Sequence, residues 1–371
     1  MALAVFPFVN ANAGTTFKLD AAGDAYFVTD NDKIGFEELR QFAFYNPVKG
    51  ATSLNHAFLV GRAESDYWRV NVGAGFRGDD LKLHIEEANV AVNLFSSLWA
   101  EGGYFVPSLA GDVDYTFDAW FSGNSLTDFM SSDYQAGIGL FSEFKRGITV
   151  RLRAINTGYG NENEYGLSGR FSNNRSTTFL AGFDWNEAFG LSDWNLSIGS
   201  MIGNEQSYPE EPKLKINSGL HLKGNITSEF EANLRCKFAT LAEGKDDGAM
   251  ATALSAQLML RYALTEKFGV GCRFAYTIDE DGIFISREHK VSEDSVAIIT
   301  GYSGMDLGLV FEYRPVSNIY IRLEGNMLMM SNKLNNDLAK IFKTGDNEFG
   351  NTRLEAAISM GYTFSLFEIT Q

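Results

Sequence analysis

The chain has 371 residues and a formal net charge of −16, with 37 Gly, 6 Pro, 2 Cys and 13% aromatic residues. Such an acid excess excludes a basic nucleic-acid binder, which needs positive surface for phosphates. With 45% apolar residues and two Cys, neither a disordered chain nor a disulfide scaffold fits, and no run of ~20 apolar residues exists to form a spanning helix.

The amino terminus carries a short apolar run from Leu3 to Val9, followed by Ala11-Asn12-Ala13. This pattern is that of a truncated signal peptide over 1–13, with an apolar first strand as the other reading. Residues 14–371 then form one domain, since no linker or low-complexity tract interrupts them.

From residue 67 onward the dominant signal has a period of two. It runs through 67–77, 134–144, 148–154, 194–202, 214–223, 230–238, 256–264, 305–314, 319–329 and 354–366. Leu354, Ala356, Ile358, Met360, Tyr362, Phe364 and Leu366 share one face of the last segment, for example. Side chains alternate across a strand, so each segment has an apolar and a polar face. In 81–94 the phase flips from Leu81, Leu83 and Ile85 to Ala88, Val90 and Val92, which predicts a β-bulge near Glu86-Glu87. The parity of 157–213 is unclear.

Segment length separates a soluble sandwich from a barrel. Many runs reach about 10–14 residues, above the ~5–6 of soluble strands and enough to cross a bilayer at a tilt. Short turns at 223–228, 264–267 and 314–318 alternate with longer polar loops at 241–249, 277–297 and 331–351. The fold class expected is all-β, a closed antiparallel transmembrane β-barrel of about 16 strands, within a range of about 14–18. Trp68, Trp99, Trp185, Trp194, Tyr262, Tyr276, Tyr313 and Tyr362 fall near strand ends and are expected in interfacial girdles.

Two resemblances follow. The last strand, with Ile358, Met360, Tyr362 and Phe364 at alternate positions, resembles the barrel-closing C-terminal signal of outer-membrane proteins, although the chain runs on to Gln371. Residues 54 to 160 resemble the OmpL-like β-barrel porin family. The similar stretches are Leu54-Asn55-His56-Ala57-Phe58-Leu59, Glu87-Ala88-Asn89-Val90, Gly103-Tyr104-Phe105-Val106, Phe117-Asp118-Ala119-Trp120-Phe121-Ser122 and Asn156-Thr157-Gly158. The resemblance implies a porin-like barrel in a bacterial outer membrane. Its partners would be outer-membrane lipid, small hydrophilic solutes and the barrel assembly machinery, with a homo-oligomer compatible.

In a water-filled barrel the polar faces line the lumen. The expected pore-lining residues are Arg69, Arg151, Arg153, Arg235, Lys237, Arg261, Arg273, Arg322, Glu143 and Glu231. They either tune ion selectivity or form Arg–carboxylate ladders that satisfy a polar interior. The long segment 107–133 carries Asp112, Asp114 and Asp118 among aromatics. It either folds inward as a constriction loop facing the arginines or stays outside. Acidic stretches at Asp279-Glu280-Asp281 and Asp30-Asn31-Asp32 lack EF-hand spacing and are expected to be solvated. No GxSxG motif occurs, and the Cys residues lie on different strands in apolar phase. No catalytic residue, metal or cofactor is therefore expected. The function expected is passive diffusion through a polar lumen. The rivals are a plugged structural, adhesion or assembly-associated barrel, and a soluble all-β binding protein.

Overall fold

The computed structural model describes residues 14–33, 52–77, 83–105, 109, 119–123, 125–130, 135–156, 177–204, 213–243, 248–284, 287–292, 295–334, 337–345 and 348–370. The signal-peptide expectation for 1–13 lies outside them. Thirteen strands come first: β1 (Thr16–Asp30), β2 (Thr52–Glu64), β3 (Trp68–Arg77), β4 (Leu83–Phe95), β5 (Leu98–Phe105), β6 (Gln135–Phe144), β7 (Ile148–Asn156), β8 (Thr178–Asn186), β9 (Asn195–Asn204), β10 (Leu214–Asn225), β11 (Phe230–Leu241), β12 (Ala251–Ala263) and β13 (Phe268–Asp279). The short β14 (Arg287–Ser292) extends a hairpin with β15 (Ser295–Val316). After β16 (Ile319–Leu334) come the small strands β17 (Asp337–Ala339), β18 (Phe342–Lys343) and β19 (Phe349–Gly350), and finally β20 (Thr352–Thr370).

Sixteen of these strands form the barrel: β1 to β13, β15, β16 and β20. Each pairs antiparallel with the next, and β20 closes the ring by pairing with both β16 and β1. Closure leaves no exposed sheet edge across the bilayer, where an unpaired amide is costly.

One side of the barrel carries tight turns, such as 65–67, 96–97, 145–147 and 317–318. At 145–147, Arg146 and Gly147 have φ of 67° and 69°. Two positive values make the hairpin turn whose twist matches the flanking strands. A side chain at Gly147 would also meet the Asn186 carbonyl oxygen at 2.6 Å. Both described ends of the chain lie on this side, the periplasmic side of an even-stranded barrel. The segment between β8 and β9 is a turn built around the 3-10 helix Ala188–Gly190.

Alternation directs the outer face to lipid. Leu258 on β12 pairs with Phe274 on β13, and Leu323 on β16 with Ile358 on β20; these four and Leu309 on β15 are all strongly exposed. A belt of this kind is what bilayer hydrocarbon requires. Cys236 and Cys272 lie in this outer phase. The phase flip in β4 is a bulge: Gly73 pairs with Glu87 and Ala74 with Ile85, leaving Glu86 as the extra residue. Glu86 and Glu87 are consequently both buried on the inner wall. Trp99 departs from the girdle expectation. It pairs with Asn93 on the inner face and is buried, stacked on Phe141 at 5.8 Å. Asp279 also departs from its expectation as solvated charge. It is buried and accepts the amides of Ile283 and Phe284 at 2.7 and 2.9 Å.

The buried core is inside the barrel and consists of loops against wall. Leu126, Ile341 and Phe342 join Tyr26, Val28, Tyr302, Leu328 and Met330, with Phe284 packed alongside. Met130 joins Ala239 and Ala253, with Ile283 and Phe284 alongside.

Candidate pore and its inserted loop

Residues 119–123 and 125–130, between β5 and β6, lie inside the barrel against the wall of β11–β13, β15, β16 and β20. Two arginines anchor them. Arg322 donates from Nε to Glu312 Oε2 at 2.8 Å, from Nη1 to Ser122 Oγ at 3.2 Å and from Nη2 to the Ala119 carbonyl at 2.6 Å. Arg273 donates from Nε to Asp306 Oδ1 at 2.9 Å, from Nη1 to the Gly123 carbonyl at 2.8 Å and from Nη2 to Asn326 Oδ1 at 3.3 Å. Its guanidinium also covers the Phe121 ring at 4.6 Å. Two wall carboxylates take loop amides in turn. Glu324 accepts Ser122 N at 2.8 Å, and Asp306 accepts Leu126 N at 2.9 Å.

Uncharged contacts complete the attachment. Thr127 and Ser255 hydroxyls are 2.7 Å apart, and Ser122 and Ser359 hydroxyls 2.8 Å. Ser125 hydrogen-bonds Gln257, and Trp120 and Phe121 pack on Met259 and Val310. Buried charges of this kind persist only when paired and fully hydrogen-bonded.

Two other loops reinforce this half of the barrel. Lys215 Nζ sits 4.3 Å from the Phe284 ring centroid, and Arg353 covers Phe342 at 5.0 Å. The Asp30-Asn31-Asp32 stretch is a clasp. Asn31 Oδ1 accepts Leu354 N at 2.8 Å, and Asp32 Oδ1 accepts Lys343 N at 3.0 Å.

The other wall, β2 to β9, carries its own charges. Arg69 makes a two-pronged pair with Glu143 at 2.6 and 2.8 Å and lies flat over Trp99 at 4.2 Å. Arg153 grips Glu101 at 2.7 and 3.1 Å and stacks on Phe105 at 3.8 Å. Arg151 bridges Glu101 at 3.5 Å and Asp184 at 3.7 Å. Four of these groups remain wet: Arg69, Glu143, Arg151 and Asp184 are 32%, 39%, 22% and 37% exposed, against 2% for Arg273 and 0% for Arg322. At the periplasmic mouth a cavity of about 680 Å³ is lined by Glu64, Asp66, Arg69, Asn93, Trp99 and Glu143 among others.

The expected pore-lining residues therefore occupy two environments. Arg69, Arg151 and Glu143 are partly exposed on the open wall, where Arg153 is buried against Glu101 and Phe105. Arg273 and Arg322 hold the inserted loop. Arg235 lies 3.4 Å from loop residue Asp128, and Lys237 is buried on the same wall. Arg261 links Glu231 at 3.4 Å to Glu312 at 2.9 Å near the turns. Asp112, Asp114 and Asp118 lie outside the described residues. Ile358, Met360, Tyr362 and Phe364 all face outward on β20, exposed by 43–58%.

Sequence reading missed Arg62, which lies 3.2 Å from Asp20, and Arg353, fully buried beneath Phe342. Arg62 shares its inner face with Val60, so the polar face of β2 is not cleanly polar. Among the described residues no group of three or more His, Cys, Asp or Glu is disposed to hold a metal ion.

A family model described as "Putative beta-barrel porin-2, OmpL-like" matches residues 16–364. A search of curated protein sequences finds no match. Among solved structures, the outer membrane channel DcaP of Acinetobacter baumannii is similar at 10% identity and a TM-score of 0.58, over 96% of this chain and 99% of that one. Pseudomonas putida OprB in its high pH structure is similar at 12% identity and a TM-score of 0.59, over 95% and 94%. OmpT of Vibrio cholerae, in a trimer form, is similar at 11% identity and a TM-score of 0.54, over 95% and 100%.

Proposed function

This chain belongs to the OmpL-like β-barrel porin family and is an outer-membrane channel for passive diffusion, and we propose that its solutes pass along the β2–β9 side of the lumen. The reading rests on one contrast. Arg273, Asp306, Arg322 and Glu324 are buried against the inserted loop, whereas Arg69, Glu143, Arg151 and Asp184 stay partly exposed. A passage lined by paired charges of both signs suits small hydrophilic solutes and ions, filtered by width and local field. The proposed role is not enzymatic.

Single-channel recording in planar bilayers tests the route. Arg151→Glu is expected to change the anion-to-cation permeability ratio, and Arg273→Gln to act on conductance through loop position. A purified, folded barrel without conductance would overturn the reading in favour of a plugged structural role.

We also propose a homo-oligomer. The outer faces of β1 to β5 carry small residues, among them Ala21, Ala25, Ala57, Gly61, Ala63 and Gly102. Small residues let membrane-embedded backbones approach closely, and the Vibrio cholerae relative has a trimer form. Gly61→Leu is expected to release monomers in mass photometry of detergent-purified protein.

A further inference from the structure

The two ladders of β20 end at different heights. Against β16 the pairing stops at Ile319 with Tyr362, beside the 317–318 turn. Against β1 it continues to Thr16 with Thr370. Among the described residues, 364–370 therefore have a strand on one side only. Their other edge is open over seven residues, roughly 23 Å of extended chain. This tongue hangs on the periplasmic side, below the barrel's β15–β16 turn.

Its faces differ. The inner face carries Lys18 opposite Glu368 and Thr16 opposite Thr370. The outer face carries Phe17 opposite Ile369 and Leu19 opposite Phe367, with Leu366 as the extra residue at a bulge. Phe364, Leu366, Phe367 and Ile369 are 43%, 55%, 46% and 50% exposed. Natural sheet edges are usually blunted by Lys, Pro or inward charge. The stretch Phe364-Ser365-Leu366-Phe367-Glu368-Ile369-Thr370 has no Pro and a single charge, Glu368, which stands opposite Lys18 in the ladder.

We propose that the open edge of β20 over 364–370 is a docking site for an extended strand of a periplasmic polypeptide. The ligand adds to the sheet by main-chain hydrogen bonds, and its alternate apolar side chains lie against Phe367 and Ile369. The ladder sets affinity, and the apolar outer face sets which phase of the incoming strand is accepted.

The test uses the full-length barrel in lipid nanodiscs and a fluorescent ten-residue peptide of alternating Thr and Val. A control peptide carries Pro at every second position. The Thr-Val peptide is expected to bind, to slow hydrogen exchange at 364–370 at least tenfold, and to lose at least about tenfold in affinity with Phe367→Asp plus Ile369→Asp. Equal binding of the Pro peptide would mean apolar adsorption alone and would overturn the proposal. So would absence of binding, or slow exchange in the free barrel at the amides of 364–370 that point away from β1, since the edge would then already be paired. A change in copy number of the double variant by mass photometry would assign the edge to a second copy and overturn the proposal as well. The two-peptide comparison on the unaltered barrel decides the matter even if the double variant fails to fold.

Discussion

Arg273 on β13 and Asp306 on β15 form a buried pair, Nε to Oδ1 at 2.9 Å, and each also hydrogen-bonds the inserted loop. Asp306 Oδ2 takes the Leu126 amide, and Arg273 Nη1 gives to the Gly123 carbonyl. The wall and the loop thus share one polar network. Asp306→Ala takes the carboxylate from the buried Arg273 guanidinium and the acceptor from the Leu126 amide. We expect a loss of about 3–5 kcal/mol in reversible urea unfolding into vesicles. A shift below about 1 kcal/mol would show that water reaches the pair.

Arg69 and Glu143 form the exposed counterpart. Their two-pronged contact cancels charge locally, and removing either partner leaves the other in the passage. Arg69→Gln is expected to move the reversal potential under a salt gradient toward cation selectivity, and Glu143→Gln toward anion selectivity. The two shifts should shrink as ionic strength rises. Shifts of the same sign would contradict the pairing.

Tyr320 lies over Gly361 across the β16–β20 ladder. A Cβ at Gly361 would stand 2.4 Å from the tyrosine ring. Gly361→Ala is expected to destabilise the barrel by roughly 1–3 kcal/mol through overpacking. In Tyr320→Ala the same change should cost little, and a double-mutant cycle read by urea midpoint checks the coupling.

The bulge in β4 makes a prediction of register. Deleting Glu86 removes the extra residue and restores an unbroken ladder, with Ile85 and Ala88 still outward. The variant should keep its heat-modifiable mobility on gels. Deleting Val90, where no residue is spare, turns one end of the strand inside out and should abolish it.

Much of the barrel was legible in the chain because period-two alternation is a local property. The outward row from Leu354 to Phe364, the turn at 264–267 and the bulge at Glu86 are each visible within a few residues. Strand β8 was harder than β9, whose alternation over 194–202 is plain, because the connection between them holds a short helical turn between residues 187 and 194. Trp99 read as a girdle residue from its position near a strand end. Only its pairing with Asn93 on the inner face and the stacking of Arg69 and Phe141 against it place it in the lumen.

The sequence by itself pointed to a barrel, to how its strands alternate and to most of the side chains that face inward, because each strand must satisfy lipid on one face and water on the other. The tertiary structure decided what those inward groups do. Arg273 and Arg322 read no differently in sequence from Arg69 and Arg151, since all four are arginines at inward positions. Their roles diverge because a loop some 150–200 residues distant in the chain covers one pair and leaves the other in the passage. No local pattern encodes that contact, which exists only once the ring has closed.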